Sequence, residues 1–194
     1  AARPGRRAGA SGGRDGVTRR LAAYVAGVGF AAALLLALDR PGELQAEWPH
    51  YLAWILICVL SESMWMANAS GEGTWSLSSS AMLAAAMLWG RAPAMWIAGA
   101  STLAAEFLVL RKPPVRAWFN AGQMVVTLWA AGWAFVLLGG PAGGVHGLGV
   151  EGGAAGQALA LRLVPGTLAL LVTFLLVNRA LVAVAMAWST DRSW

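Results

Sequence analysis

Apolar residues fall into six blocks along the chain, at 21–38, 48–66, 75–89, 92–110, 118–138 and 164–188, and the charged residues lie mostly between them. A hydrocarbon core about 30 Å thick is crossed by roughly 20 helical residues rising 1.5 Å each. Five blocks reach or approach that length, and Trp75–Trp89 is short. The pattern predicts an all-α fold, a polytopic membrane bundle of six transmembrane helices. Short connections suit antiparallel neighbours. Pro41-Gly42 breaks the chain after the first block, and Pro113-Pro114 separates the fourth from the fifth. Pro93 sits in the first turn of the fourth block, where its missing N–H costs nothing.

Composition agrees. Of 194 residues, 58% are hydrophobic and 12% charged, with a mean hydropathy of +0.61. A soluble domain carries about 25% charged residues, so the expectation is one membrane domain at residues 19–190. The net charge of +5 raises nucleic acid as a partner. Its distribution argues against that, because Arg3, Arg6, Arg7, Arg14, Arg19 and Arg20 crowd the first twenty residues. A basic tail before an apolar helix reads as a cytoplasmic anchor facing anionic lipid. Residues 1–18, rich in Gly, Arg, Ala and Ser, are expected to be disordered. Asp39-Arg40-Pro41-Gly42 offers no small-x-small cleavage site, which argues against a signal peptide. The first residue is not Met, which reads as processing or excision from something longer.

Charge asymmetry predicts the orientation. An N-in start with six crossings places ten of the fourteen basic residues inside, in the tail, the 111–116 loop and the C-terminus. Only Arg40, Arg91 and Arg162 then face outside, with Arg179 inside the last block. If the short third block failed to cross, Arg111, Lys112 and Arg116 would lie outside, so the rule favours N-in, C-in. Trp48, Trp65, Trp75, Trp89, Trp118 and Trp188 fall near block ends, as an interfacial aromatic belt requires. Trp54, Trp96, Trp129 and Trp133 lie deeper and read as packing residues.

Familiar motifs carry little. Cys58 is the single cysteine and reads as a small buried hydrophobe. Gly147-Leu148-Gly149-Val150-Glu151-Gly152 spells GxGxxG. It falls in a loop, 139–157, that holds nine glycines, without the strand and helix that a dinucleotide site needs. Asn68-Ala69-Ser70 spells a sequon on the expected cytoplasmic side. His50 and His146 are the only histidines and lack a clustered acidic partner, so they read as surface or interface residues rather than metal ligands. No catalytic motif, cofactor site or metal site is expected. Alanine pairs at Ala22/Ala26, Ala33/Ala37 and Ala94/Ala98 match small-xxx-small contact faces.

The informative residues are polar ones inside the blocks: Glu62, Glu106, Asn120, Gln123, Asn178 and Arg179. An ionisable side chain at mid-bilayer costs about 2.5–3.5 kcal/mol on the insertion scale. In the N-in orientation this set leans toward the cytoplasmic half. Asn120, Gln123 and Thr127 share one helical face, and Thr102 lies one turn from Glu106. The expectation is a polar cluster in which Glu62 or Glu106 pairs with Arg179. The alternative is snorkelling at helix ends plus ordinary interhelical hydrogen bonds.

Three segments together resemble a known family: Trp75-Ser76-Leu77-Ser78 through Met87-Leu88-Trp89-Gly90-Arg91-Ala92-Pro93, then Phe119-Asn120-Ala121-Gly122-Gln123, then the late Asn178. The stretch 60–190 resembles the multi-pass membrane regions preceding bacterial HD-GYP and GGDEF cyclic-di-GMP signalling domains. The chain carries neither output sequence, so the resemblance implies the sensor or anchor half of such a protein in the inner membrane. A signal would reach the output through the last helix, with an unknown small ligand and a homodimer or other membrane subunits as possible partners. Two alternatives stay open: a substrate-binding subunit of a vitamin-type uptake transporter, and a structural subunit of a larger membrane complex.

Overall fold

The computed structural model describes residues 11–41, 44–63, 66–67, 74–75, 77–148 and 154–189. Six helices account for nearly all of them: α1 (Ser11–Leu38), α2 (Leu44–Ser63), α3 (Ser78–Trp89), α4 (Arg91–Ala104), α5 (Pro114–Leu137) and α6 (Ala154–Ser189). α4 continues without a break into a π-helical turn, Ala105–Val109. Two residues on either side of the α2–α3 connection pair antiparallel, Met66 with Trp75 and Ala67 with Thr74.

The bundle is apolar on the outside. Phe30, Leu108, Leu137 and Leu161 are each more than 70% exposed, and α6 displays Leu168, Leu171, Leu175 and Leu176. A water-soluble surface does not show contiguous apolar area on this scale. Four helical stretches are long and apolar enough to span a bilayer: Arg19–Leu38, Arg91–Val109, Pro114–Leu137 and Gly156–Ser189. The protein is therefore an all-helical membrane protein. The other two expected crossings differ. α2 has the length, at 20 residues, but Glu47, Pro49 and His50 in its first turns lower its hydropathy. α3 has only 12 residues, about 18 Å of helix.

α5 is central, packed against α1, α4 and α6, while α4 packs against α2 and α3. Its core is Val125, Leu128, Ala131 and Phe135 against Met95, Ile97 and Ala98 of α4 and Leu170 and Phe174 of α6. Successive helices alternate in direction. Tyr24 near the start of α1 donates its hydroxyl to Leu181 O of α6 (2.8 Å) and meets Trp188 edge-on. Both terminal helices thus have their outer ends at one end of the bundle. Glu62, Ser78, Glu106 and Asn120 lie at this end too, whereas Asp39, His50, Trp89, Arg91 and His146 lie at the other.

Several boundaries differ from expectation. α1 begins at Ser11, so residues 11–18, expected to be disordered, continue the apolar helix outward; propagation adds a bond per residue once a nucleus exists. Residues 1–10 lie outside the described residues. α6 starts at Ala154, ten residues before its apolar block, because Ala154–Ala160 is itself rich in helix formers. A 3₁₀ turn, His146–Leu148, occupies part of the Gly-rich loop. The sequon and most of the GxGxxG string fall outside the described residues. Ala94 and Ala98 are fully buried, but Ala22, Ala26, Ala33 and Ala37 are exposed, so only the third alanine pair lies in a helix contact.

Gly122 sets how closely α1 approaches α5. A Cβ there would meet Gly29 Cα at 3.3 Å and Val28 O at 3.4 Å. Gly122→Leu is expected to cost about 1–3 kcal/mol through overpacking and to lower the thermal unfolding midpoint in detergent. Gly27→Leu, where the same test atom meets nothing within 4 Å, is expected to leave it unchanged.

Candidate functional site

Among the described residues the most deeply buried carboxylate is Glu106, only 3% exposed. It lies in the π turn, where Leu110 N donates to Ala105 O (2.9 Å) in place of the usual i−4 bond. Such turns recur at functional sites because the widened turn re-aims a side chain. The backbone then reverses through Arg111, which adopts a left-handed conformation at φ 47. That conformation costs a non-glycine residue about 1–2 kcal/mol. Its effect is to fold Lys112 back onto Glu106 twice: Lys112 N donates to Glu106 O at 2.9 Å, and Lys112 Nζ to Oε1 at 2.5 Å. Pro113 and Pro114 then start α5, which brings Asn120 Nδ2 to the same Oε1 at 2.8 Å. Glu106 Oε2 is buried and accepts no hydrogen bond among the described residues.

The same end holds two more interhelical links. Gln123 donates to Asn178 Oδ1, joining α5 to α6. Ser78 donates its hydroxyl to Glu62 Oε2, joining α3 to α2. Thr127 continues the Asn120/Gln123 face and is fully buried, as is Ser101, with Thr102 nearly so. Of the six expected cluster residues, Glu106 and Asn120 meet directly, Gln123 and Asn178 meet directly, and Glu62 joins the network of α2 and α3. Arg179 does not join. It is exposed and makes no ion pair with a described residue, so the expected pairing with Glu62 or Glu106 is incorrect. Asn178 and Arg179 are 100° apart around α6, and pointing Asn178 at Gln123 turns Arg179 outward. The cation for Glu106 is Lys112 instead.

The opposite end holds an open cleft of about 470 Å³, lined by Asp39, Arg40, Glu47, Tyr51, Trp89, Arg91, Trp133 and His146 together with smaller residues. Arg91, the first residue of α4, donates Nε to Asp39 Oδ2 at 2.6 Å and lies 4.1 Å from the centre of the Trp133 ring. Trp133, expected as simple packing, thus supports a cation. His146 stacks on Trp89 at 4.0 Å between ring centres, and His50 lies 5.5 Å from the other ring system of that pair, Trp89. His50 Nδ1 is 2.7 Å from Glu47 Oε2, at ion-pair distance but out of line for a hydrogen bond. The two histidines, expected as surface or interface residues, are both exposed and both meet one indole. The indole Nε1 is buried without a partner among the described residues.

Two glycines make this assembly possible. Gly90 (φ 81) and Gly144 (φ 78) cross so closely that a Cβ on Gly90 would overlap Ala142 O, and one on Gly144 would overlap Leu88 O. Val145 N then donates to Met87 O at 2.9 Å, seating His146 on Trp89. Among the described residues no group of three or more His, Cys, Asp or Glu is placed to hold a metal ion. No protein-family model matches this chain, nor does any curated protein or solved structure.

Sequence reasoning passed over Lys112, Arg91 and Trp89. Arg91 alone left a signal, as a charged residue directly before an apolar block. What the geometry offers is an open cleft at one end and a paired, buried charge at the other.

Two outcomes follow. Lys112→Met leaves the Glu106 carboxylate buried with only Asn120, and is expected to destabilise the protein by about 2–3 kcal/mol, discounted for the partly exposed lysine. Glu106→Gln with Lys112→Met should recover most of that loss, which chemical or thermal unfolding of the three variants in detergent would measure. Gly144→Val should unseat His146 and raise the accessibility of Trp89 to iodide quenching, with the helical circular dichroism unchanged.

Proposed function

We propose that this chain is the sensory membrane domain of a bacterial inner-membrane signalling protein, with six spans and both ends inside. The observation that carries the reading is the span of α4. Its first residue, Arg91, lines the cleft, and its π turn holds Glu106 roughly 22 Å away at 1.5 Å per residue. One rigid element therefore touches both a recognition cleft and a buried charge network. A ligand that prefers one position of Arg91 shifts the balance between two states of that helix. The π turn supplies the other state, since its extra residue can be taken up along the helix. From the network the change passes through Gln123 and Asn178 to α6, and so toward a cytoplasmic output.

Three further observations support this reading. The basic residues favour the α1-start and α6-end side as the inside, and Tyr24 against Trp188 keeps those two ends together. α3, though short, runs between the two ends with its neighbours, as six crossings require. Gln123 and Asn178, two of the residues behind the resemblance to cyclic-di-GMP signalling proteins, are bonded to each other. One observation favours a second reading, a substrate-binding subunit of an uptake transporter: in this orientation the cleft opens outside, where such a subunit collects its cargo.

The orientation is tested with single cysteines in a Cys58→Ser background. A cysteine at Leu148 should react with a membrane-impermeant maleimide on intact spheroplasts, and one at Val115 only after lysis; the reverse result would invert the topology. Coupling is tested with spin labels at Val115 and Met186, both exposed at the Glu106 end. Arg91→Gln at the far end should shift their distance distribution. An unchanged distribution would leave the cleft without a relay and favour the transporter reading.

A further inference from the structure

We infer that the cleft at the Arg91 end takes a small organic carboxylate with an aromatic or branched apolar body. The inference rests on reading that cleft as the domain's ligand site. Its volume of about 470 Å³ lies within the range of small-molecule pockets. The groups left over on its lining residues include the donors of Arg91 and Trp89 and one acceptor, Glu47 Oε2. Arg91 spends Nε on Asp39, and its two terminal nitrogens make no hydrogen bond among the described residues. Those nitrogens form the fork that binds a carboxylate through two parallel bonds. Trp89 is also in the lining, and its Nε1, closed off from the cleft, is a buried donor that has lost water and gained nothing among the described residues. Leaving such a donor unmet is costly, and a ligand acceptor that turns the indole toward the cleft removes the penalty.

Of the acidic groups, Asp39 is engaged, whereas Glu47 Oε2 accepts no hydrogen bond among the described residues. Asp39 Oδ2 is 2.6 Å from Arg91 Nε, and Glu47 Oε2 is 2.7 Å from His50 Nδ1. An incoming carboxylate on the terminal nitrogens of Arg91 pulls against the hold of Asp39 on Nε, which is how occupancy would move the start of α4. Tyr51, Pro93, Trp133 and Val136 supply apolar wall, which an inorganic anion would leave uncovered. The same wall beside Glu47 admits an opposite case, an aromatic cation, and the experiment separates the two.

The test uses the full chain in nanodiscs of zwitterionic lipid, with empty nanodiscs as the blank. The fluorine line width of 4-fluorobenzoate is titrated against that of 4-fluorobenzylamine, the same ring with opposite charge, and inorganic phosphate is added as competitor. Saturable binding of 4-fluorobenzoate is expected with a Kd of about 0.5–10 mM, the range for so few atoms. Trp89→Phe keeps the ring against His146 and removes the donor, and should raise Kd about tenfold. Arg91→Lys keeps the charge and removes the fork, with a similar loss. Unchanged thermal midpoints show that the variants are folded, and if either does not fold, the charge preference of the wild-type protein decides.

Any of four results would overturn the inference: no saturable binding of 4-fluorobenzoate, equal or tighter binding of 4-fluorobenzylamine, phosphate competing at equal concentration, or a folded Trp89→Phe that binds as the wild type. Binding is read without any signalling step. Carboxylate binding with no shift between the spin labels would remove the sensory reading alone, while a shift without carboxylate binding would remove only the ligand class.

Discussion

A carboxylate buried in an apolar bundle must be paired, and the pairing of Glu106 dictates how the centre of this protein is built. An isolated charge at such a depth carries a penalty of several kcal/mol, and removing one partner of a buried pair exposes that penalty in full. Glu106 meets its cation only because the helix widens into a π turn, Arg111 turns left-handed and Lys112 folds back. Pro113 and Pro114 then launch α5 in the opposite direction, close enough for Asn120 to reach the same oxygen. The antiparallel packing of α4 on α5, and so the seating of α1 and α6 on α5, follows from that reversal.

The two ends of the bundle use different physics. At the Glu106 end the contacts are short, part-buried side-chain links that converge on a carboxylate almost closed to water. At the Arg91 end they are aromatic and partly open: a stacked imidazole, a guanidinium over an indole, a carboxylate within reach of solvent. Weak, partly hydrated contacts exchange readily for contacts with a ligand, whereas a buried pair resists change until the helix that carries it moves. α4 joins the two regimes in a single rod, and the proposed relay draws on that union.

What the sequence disclosed followed from the bilayer's thickness. Apolar blocks of the right length were legible, and so was Glu106, because an ionisable residue inside such a block has few bland explanations. Its partner was not legible. Lys112 sits beyond the apolar block, and only a left-handed turn at Arg111, which leaves no local sequence signal, brings it back. Asn178 and Arg179 show a second limit: they are adjacent, and which of them faces α5 is set by helix rotation, which depends on packing. Hydropathy likewise placed α6 ten residues late, since Ala154–Ala160 is helical without being strongly apolar. The cleft was invisible for a topological reason. His50 and His146 lie far apart in the chain, and the two glycines that let His146 reach Trp89 are indistinguishable by eye among 24.

Lys112 is the only lysine in the sequence, and its ammonium is the one that neutralises Glu106. The protein therefore has a single side-chain amine, about a quarter exposed and tied to the buried carboxylate. Every amine-directed reagent, from acylating label to lysine-selective cross-linker, converges on one atom of the charge network once the chain's α-amino group is set aside. The rate of that acylation is a built-in gauge of how firmly the pair is closed, and no engineered probe is needed to read it.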